Sequence, residues 1–250
     1  MMAPVAAAVP WAGSCPGPRQ EAARIVDAAC VRRWLGEVAA RLEAERDFLT
    51  QLDAAIGDAD HGINMHRGFT AVMRRVGDLD VATPGILLKT AGRTFVSTVG
   101  GAAGPLYGTA FLAAGEILDD GDTFGPRRLL EALRASLEGV QRIGAASEGD
   151  KTMVDALAPA LAAYELELRT GGSLETAVRA AREAASDGAR ATVPMQARKG
   201  RASYLGPRSV GHQDPGATST SLMFAALERA VLADRTQRFA AGTRSRASRP

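Results

Sequence analysis

From Glu21 onward, apolar residues recur every three or four positions over much of the chain, the spacing of one face of an α-helix. Leu129, Leu130, Leu133, Leu137, Val140 and Ile143 form one such stripe, and Met153, Leu157, Ala160, Leu161, Tyr164 and Leu168 form another. Ser173 is placed to cap the start of a further helix, and one more is predicted after Gly216, through Leu222, Ala225 and Ala226. The stretch from Ile25 to Leu52 reads either as one long helix or as two in series. No segment shows the strict alternation of a half-buried strand, and β-branched residues are scattered. Ala-rich amphipathic stretches joined by short Gly or Pro connections predict an all-α bundle, and no internal repeat is evident.

At 250 residues the chain is the size of one large domain or two small ones. A hydrophobic fraction of 46% against 23% charged residues suits a globular protein and argues against disorder as the main state. Aromatic residues are only 5%, so the core must be built from Ala, Leu, Val and Ile. No apolar run approaches the roughly 20 residues of a membrane-spanning helix. Two cysteines, Cys15 and Cys30, supply neither a disulfide framework nor a four-ligand zinc site. Residues 1–21 are expected to be a flexible N-terminal extension, rich in Pro, Gly and Ala and without the basic start of a signal peptide. The AGSC before Cys15 loosely resembles a lipoprotein cleavage site but lacks the preceding apolar core. A cytoplasmic protein is the expectation.

The net charge of +2 is uneven. Five arginines and no acid fall in residues 235–250, leaving the rest of the chain at −3. This end is expected to be a basic, disordered tail, and no direct contact with nucleic acid is predicted, since only Phe239 interleaves with the arginines. The basic residues comprise 27 Arg and only three Lys, and Asn64 is the sole asparagine. Lys89, Lys151, Lys199 and Asn64 all lie in or beside glycine-containing segments, which marks them as positions hard to replace.

Four segments carry candidate chemistry. In QLDAAIGDADHGINMHRGF, residues 51–69, three aspartates stand at spacings of five and two. If a helix ends near Gly57, Asp58 and Asp60 fall on one side of an extended segment, and Asp53 on the last turn can reach the same point. Carboxylates that close repel one another unless a cation neutralises them, and an all-oxygen set suits Mg²⁺ or Ca²⁺ rather than Zn²⁺. A polar turn with N-capping aspartates is the competing reading. In STVGGAAGPLYG, residues 97–108, the glycines suit either backbone N–H groups facing an anion or close helix packing. GAASEGDKT, residues 144–152, is nearly a phosphate-binding loop. Asp150 interrupts that pattern and no strand precedes it, so a P-loop is rejected. Lys151 and Thr152 either face phosphate or form a plain helix-start turn. The fourth segment, ARKGRASYLGPRSVGHQDPGATS at 197–219, is long and basic and reads as an irregular loop able to bind phosphates, with a plain solvated loop as the competing reading. Together these parts match what phosphoryl transfer needs, which is positioning and charge neutralisation more than a protein nucleophile.

Over residues 22–234 the motifs GDADHGxNM, GGAAGPLYG, GDKTMVD and KGRASYLGxRSxGHQDPGATS, in this order, resemble the nucleotide-binding L subunit of dihydroxyacetone kinase. The resemblance implies an antiparallel eight-helix barrel holding ADP, or ATP, at one end through two Mg²⁺ ions. Carried over by motif, Asp53, Asp58 and Asp60 would ligate the metals and form, with His61, the catalytic set. His61, Gly62, Ile63 and Asn64 would lie along the phosphates. Ala102, Ala103, Gly144, Met153, Arg201 and the Asp214-Pro215-Gly216 turn would complete the nucleotide site. Three departures stand out: Ala103 where Ser is usual, AASE in place of Lys-Ala-Glu-Pro before GDKT, and Arg93 at a commonly apolar position.

The resemblance also implies partners. Bound ADP would accept a phosphoryl group from a phosphohistidine protein, subunit M, and pass it to dihydroxyacetone held on subunit K; a homodimer is expected. The alternative is an ATP-dependent nucleotide subunit of a split ketose kinase. A reading of another class is a regulator that binds a transcription factor, which the intact aspartate triad argues against.

Overall fold

The computed structural model describes residues 26–247 except 120, with side chains to residue 234. The expected flexible extension at 1–21 and Cys15 lie outside the described residues. Among these residues the regular secondary structure is almost wholly helical: α1 (Ala28–Ala44), α2 (Arg46–Ile56), α3 (His61–Gly77), α4 (Pro84–Thr98), α5 (Ala103–Ile117), α6 (Pro126–Gly144), α7 (Val154–Arg169), α8 (Leu174–Ala191) and α9 (Pro215–Ala247). A two-residue strand pair, β1 (Val26–Asp27) with β2 (Thr123–Phe124), ties the start of α1 to the α5–α6 connection. Two residues are too few to show alternation in sequence.

Eight of the helices form a closed antiparallel ring. The helices α3, α4, α5, α6, α7, α8 and α9 each pack on the next, α9 packs on α1, and α1 packs on α3. The eight-helix barrel is therefore α1 with α3–α9. The stretch that sequence leaves as one helix or two is two, divided at Glu45. The second of them, α2, stands outside the ring against α3.

The apolar stripes account for the walls. Leu129 and Val140 of α6 and Leu157, Ala160, Leu161 and Tyr164 of α7 are buried. Phe69, Phe95 and Phe111 meet at ring separations of 5.0–6.0 Å, joining α3, α4 and α5. Elsewhere the seams are closed by alanine: Ala177, Ala181 and Ala185 of α8 are fully buried, which lets α7, α8 and α9 approach closely. An apolar cavity of about 100 Å³ remains inside the ring, lined by Trp34, Phe111, Leu129 and Phe224 among others.

Capping follows side-chain chemistry. Asp27, Thr83 and Ser173 accept from the backbone N–H groups of Cys30, Ile86 and Thr176 at the starts of α1, α4 and α8. At the other end of the chain, α9 continues to Ala247, past the boundary at 234 that sequence suggests. The RFAAGTRSRA stretch has no proline, and its Ala and Arg residues favour helix on both sides of Gly242. No helix among the described residues is long and apolar enough to cross a membrane.

Candidate functional site

Alternating direction around the ring brings the starts of α3, α5, α7 and α9 to the same end. There they border a cavity of about 250 Å³, to which His61, Ala103, Val154 and Pro215 all contribute. A helix start presents backbone N–H groups without intrahelical partners and a partial positive charge, so four of them around one cavity favour an anion. At α5 the start has no side-chain cap, so its N–H groups stay available.

Acidic residues enter from one side. α2 ends at Ile56, and Gly57 turns the chain so closely that a Cβ there would collide with the Asp53 carboxylate. The following segment is not extended as sequence suggests. Ala59 adopts φ +62°, a left-handed turn that L residues with a side chain rarely take. That turn brings one oxygen each of Asp53, Asp58 and Asp60 within 4.8 Å of one another. Asp53 is buried, whereas Asp58 and Asp60 are open to solvent. Asp53 Oδ2 also accepts from the backbone N–H groups of Asp60 (2.9 Å) and His61 (3.1 Å), so it caps α3 from another helix. Three carboxylates with both buried and open members form a hard-oxygen donor set that fits Mg²⁺.

Behind them, His61 Nε2 lies 2.8 Å from Ser219 Oγ, which is 2.7 Å from the Tyr107 hydroxyl. The Tyr107 hydroxyl also donates to Gly216 O at 3.0 Å. Burial pushes the His61 imidazole below its ordinary value, against the pull of Asp53 and Asp60, so the neutral ring is favoured. Burial pushes the Tyr107 phenol up to about 12, so it stays protonated as a donor. Tyr107 and Met153 line both this cavity and the apolar one inside the ring, and so form the floor between them.

Asp214 begins α9, and its Oδ2 accepts from Ala217 N at 2.7 Å. Burial raises its carboxyl to about 7, aided by Asp155 and opposed by the Ala217 N–H and the Lys151 ammonium. On the α6–α7 turn, the Asp155 carboxylate accepts from Gly149 N (2.5 Å) and Thr152 N (2.8 Å), which shapes GDKT as a helix-start turn. The loop after α8 is more regular than its sequence suggests. Arg201–Ser209 form 3₁₀ turns kinked at Gly206, and Arg201 Nη1 reaches Asp58 Oδ2 at 2.7 Å.

Of the residues singled out in sequence, Asp53, Asp58, Asp60, His61, Asn64, Ala102, Ala103, Gly144, Met153, Arg201, Asp214, Pro215 and Gly216 line the one cavity. Gly62 and Ile63 do not. Gly62 is buried against α2, where a Cβ would collide with Arg46 O and the Thr50 hydroxyl, and Ile63 is 51% exposed. Lys151 is no open phosphate ligand either, because its ammonium is buried and bonded to backbone carbonyls. Arg93 is exposed on α4, away from the cavity lining. Sequence reasoning missed Tyr107, Ser219 and Asp155. Tyr107 carried a signal, as one of only three tyrosines and set within a glycine motif.

Comparison with known proteins gives a consistent result. The DAK2 domain family matches residues 55–229. The "PEP-dependent dihydroxyacetone kinase, ADP-binding subunit DhaL" of Escherichia coli (strain K12) is 43% identical over 190 residues, covering 76% of this chain and 90% of that protein. A "PEP-dependent dihydroxyacetone kinase 1, ADP-binding subunit DhaL" of Listeria innocua is 41% identical, covering 78% and 92%. The crystal structure of the dihydroxyacetone kinase from C. freundii in complex with AMP-PNP and Mg²⁺ is similar at TM-score 0.64 and 27% identity. That match covers 91% of this chain and 38% of the longer kinase chain.

Proposed function

The chain belongs to the DAK2 domain family, and from that membership we propose that it is the ADP-binding subunit of a cytoplasmic dihydroxyacetone kinase. It takes a phosphoryl group from a phosphohistidine protein and passes it to dihydroxyacetone bound on a separate subunit. The observation that carries this reading is the meeting of three carboxylates with four helix starts at one cavity. The first set attracts cations and the second attracts anions, which is the pairing a metal-bound nucleotide requires.

Asp53, Asp58 and Asp60 would hold the Mg²⁺ that accompanies the nucleotide. Bound Mg²⁺ supplies charge neutralisation on the phosphate oxygens. The uncapped start of α5 at Ala102 and Ala103 offers N–H donors to the phosphates, and Arg201 stands over the acidic turn as a guanidinium donor. Neutral His61, oriented by Ser219, and Asn64 would border the phosphate path. Gly144, Met153 and the Asp214-Pro215-Gly216 turn would enclose the rest of the nucleotide. The 41–43% identity to relatives named as ADP-binding subunits supports a chain that works with a separate ketose-binding partner.

The test is the nucleotide that remains on the purified protein after desalting in Mg²⁺, identified by denaturation and chromatography. Near-stoichiometric ADP is expected. Nucleotide that washes away would replace the fixed-cofactor mechanism with ATP exchanging at each turnover.

A further inference from the structure

The segment between α8 and α9 carries Arg201 to Asp58, yet its interior contributes little to the core. Between Thr192 and Asp214 only Ala197 and Ser209 are buried. Backbone bonds close its neck, from Gly211 N to Val193 O (2.8 Å) and from Arg198 N to Asp150 O (3.1 Å). Asp214 N also donates to Thr192 Oγ1 at 2.9 Å, and the buried charged tie of both ends to the α6–α7 turn is Lys151. Its Nζ donates to Thr192 O at 2.9 Å, to Met195 O at 3.2 Å and to His212 O. Two of those carbonyls lie at the start of the segment and one at its end.

The chemistry at this point is selective for lysine. Lys151 is 1% exposed in a chain that otherwise uses arginine nine times as often as lysine. An ammonium has three N–H groups around one point, and three carbonyls converge there. A planar guanidinium spreads its donors over a fork and cannot meet the same three acceptors. Lys151 also adopts φ +62°, a disfavoured backbone conformation that is held by its surroundings. All three donors are used on carbonyls, so none remains for a phosphate.

We propose that Lys151 is a positioning residue whose ammonium ties both ends of the 192–214 loop to the α6–α7 turn and thereby fixes where Arg201 stands over the acidic turn. Its bearing on nucleotide rests on the function proposed above; the anchoring of the loop does not.

The loop carries its own reporter, because Arg198, Lys199, Arg201 and Arg208 are all trypsin sites. Without nucleotide, K151M is expected to be cut between 192 and 214 at least tenfold faster than the wild type, with its helical circular dichroism unchanged. K151R is expected to behave like K151M, since charge without the ammonium geometry does not restore the tie. L35A, which opens a cavity in the barrel wall, is expected to keep slow loop cleavage and so controls for general destabilisation. Cleavage of K151M at the wild-type rate, or of L35A at the K151M rate, would overturn the anchor. The Kd for Mg–ADP is expected to rise at least tenfold in K151M and to hold in L35A. A loosened loop with unchanged affinity would overturn the positioning role. If the wild type binds no nucleotide, the proposed function fails and trypsin alone decides the anchor. Should K151M not fold, acylation of the native wild type decides it: Lys199 is labelled and Lys151 is not. Labelling of Lys151 at the rate of Lys199 would end the proposal.

Discussion

Arg201 Nη1 stands 2.7 Å from Asp58 Oδ2, so the loop between α8 and α9 touches the acidic turn between α2 and α3. The pair is half open to water, with side chains 62% and 34% exposed. Exposed pairs contribute about 0–1 kcal/mol to stability. R201A is therefore expected to melt within about 3 °C of the wild type, while phosphoryl transfer in the reconstituted kinase falls at least tenfold. A variant that melts early but transfers normally would make the contact structural instead.

Asp53 and Asp58 differ in what else they do. Asp53 caps α3 through the Asp60 and His61 N–H groups, and Asp58 makes no such bond. Replacing Asp53 with Asn removes negative charge from a helix start, at a cost of about 1 kcal/mol. Melting in EDTA should place D53N about 2–4 °C below the wild type and D58N level with it. Both variants should lose Mg²⁺-dependent transfer to dihydroxyacetone. Unchanged turnover in D58N would remove the carboxylate-centred mechanism.

Asp214 gives a pH dependence with a defined sign. Its carboxyl is raised to about 7 in the folded protein from an ordinary 3.8, so between those values the folded chain keeps a proton that the unfolded chain has lost. Stability from this group is thus fully present below about pH 4 and declines as pH rises to about 7, with a total of a few kcal/mol at most. D214N lacks the titration. The melting temperature of the wild type, followed from pH 5 to 8 in EDTA, should fall relative to D214N. Parallel curves would show that the carboxyl is already ionised throughout.

Gly62 sets the spacing of α2 and α3. A methyl group there meets backbone at Arg46 as well as Thr50, so the helices must part. G62A should cost about 2–3 kcal/mol, lowering the melting temperature by about 5–10 °C. It should also weaken Mg²⁺ binding, because Asp53 sits on α2 and Asp60 immediately precedes α3, the two helices that separate. Full stability with wild-type Mg²⁺ affinity would show that α2 slides without consequence.

Much of this architecture is legible in the sequence for physical reasons. The stripe from Leu129 to Ile143 and the Ser173 cap are local patterns, and α6 and α8 follow them. The aspartates were readable because three carboxylates in eight residues demand a neutralising partner. What escaped depends on distance along the chain. No local pattern says that Asp53 caps α3, that Ser219 holds His61, or that Lys151 spends its donors on carbonyls 41 to 61 residues away. The left-handed turn at Ala59 was hidden too, since alanine gives no hint of positive φ. The motif resemblance supplied the eight-helix ring. It also grouped Gly62 and Ile63 with phosphate contacts, whereas Gly62 packs helices and Ile63 lies outside the cavity lining.

The placement of α2 outside the ring divides the molecule into a container and a rim. The seams run from α3 through α9 and back to α1 without α2, which packs outside them with Leu49 buried in the common core. Asp53 sits on α2 and Asp58 just beyond it, whereas the four helix starts belong to the ring itself. Replacing the exposed Asp58 carboxylate would thus leave a barrel whose helix starts still gather anions but whose cation site has lost a ligand. Loss of catalysis and loss of fold are therefore separable events in this protein, and a transfer-dead chain that still binds anions at the helix starts is one carboxylate substitution away.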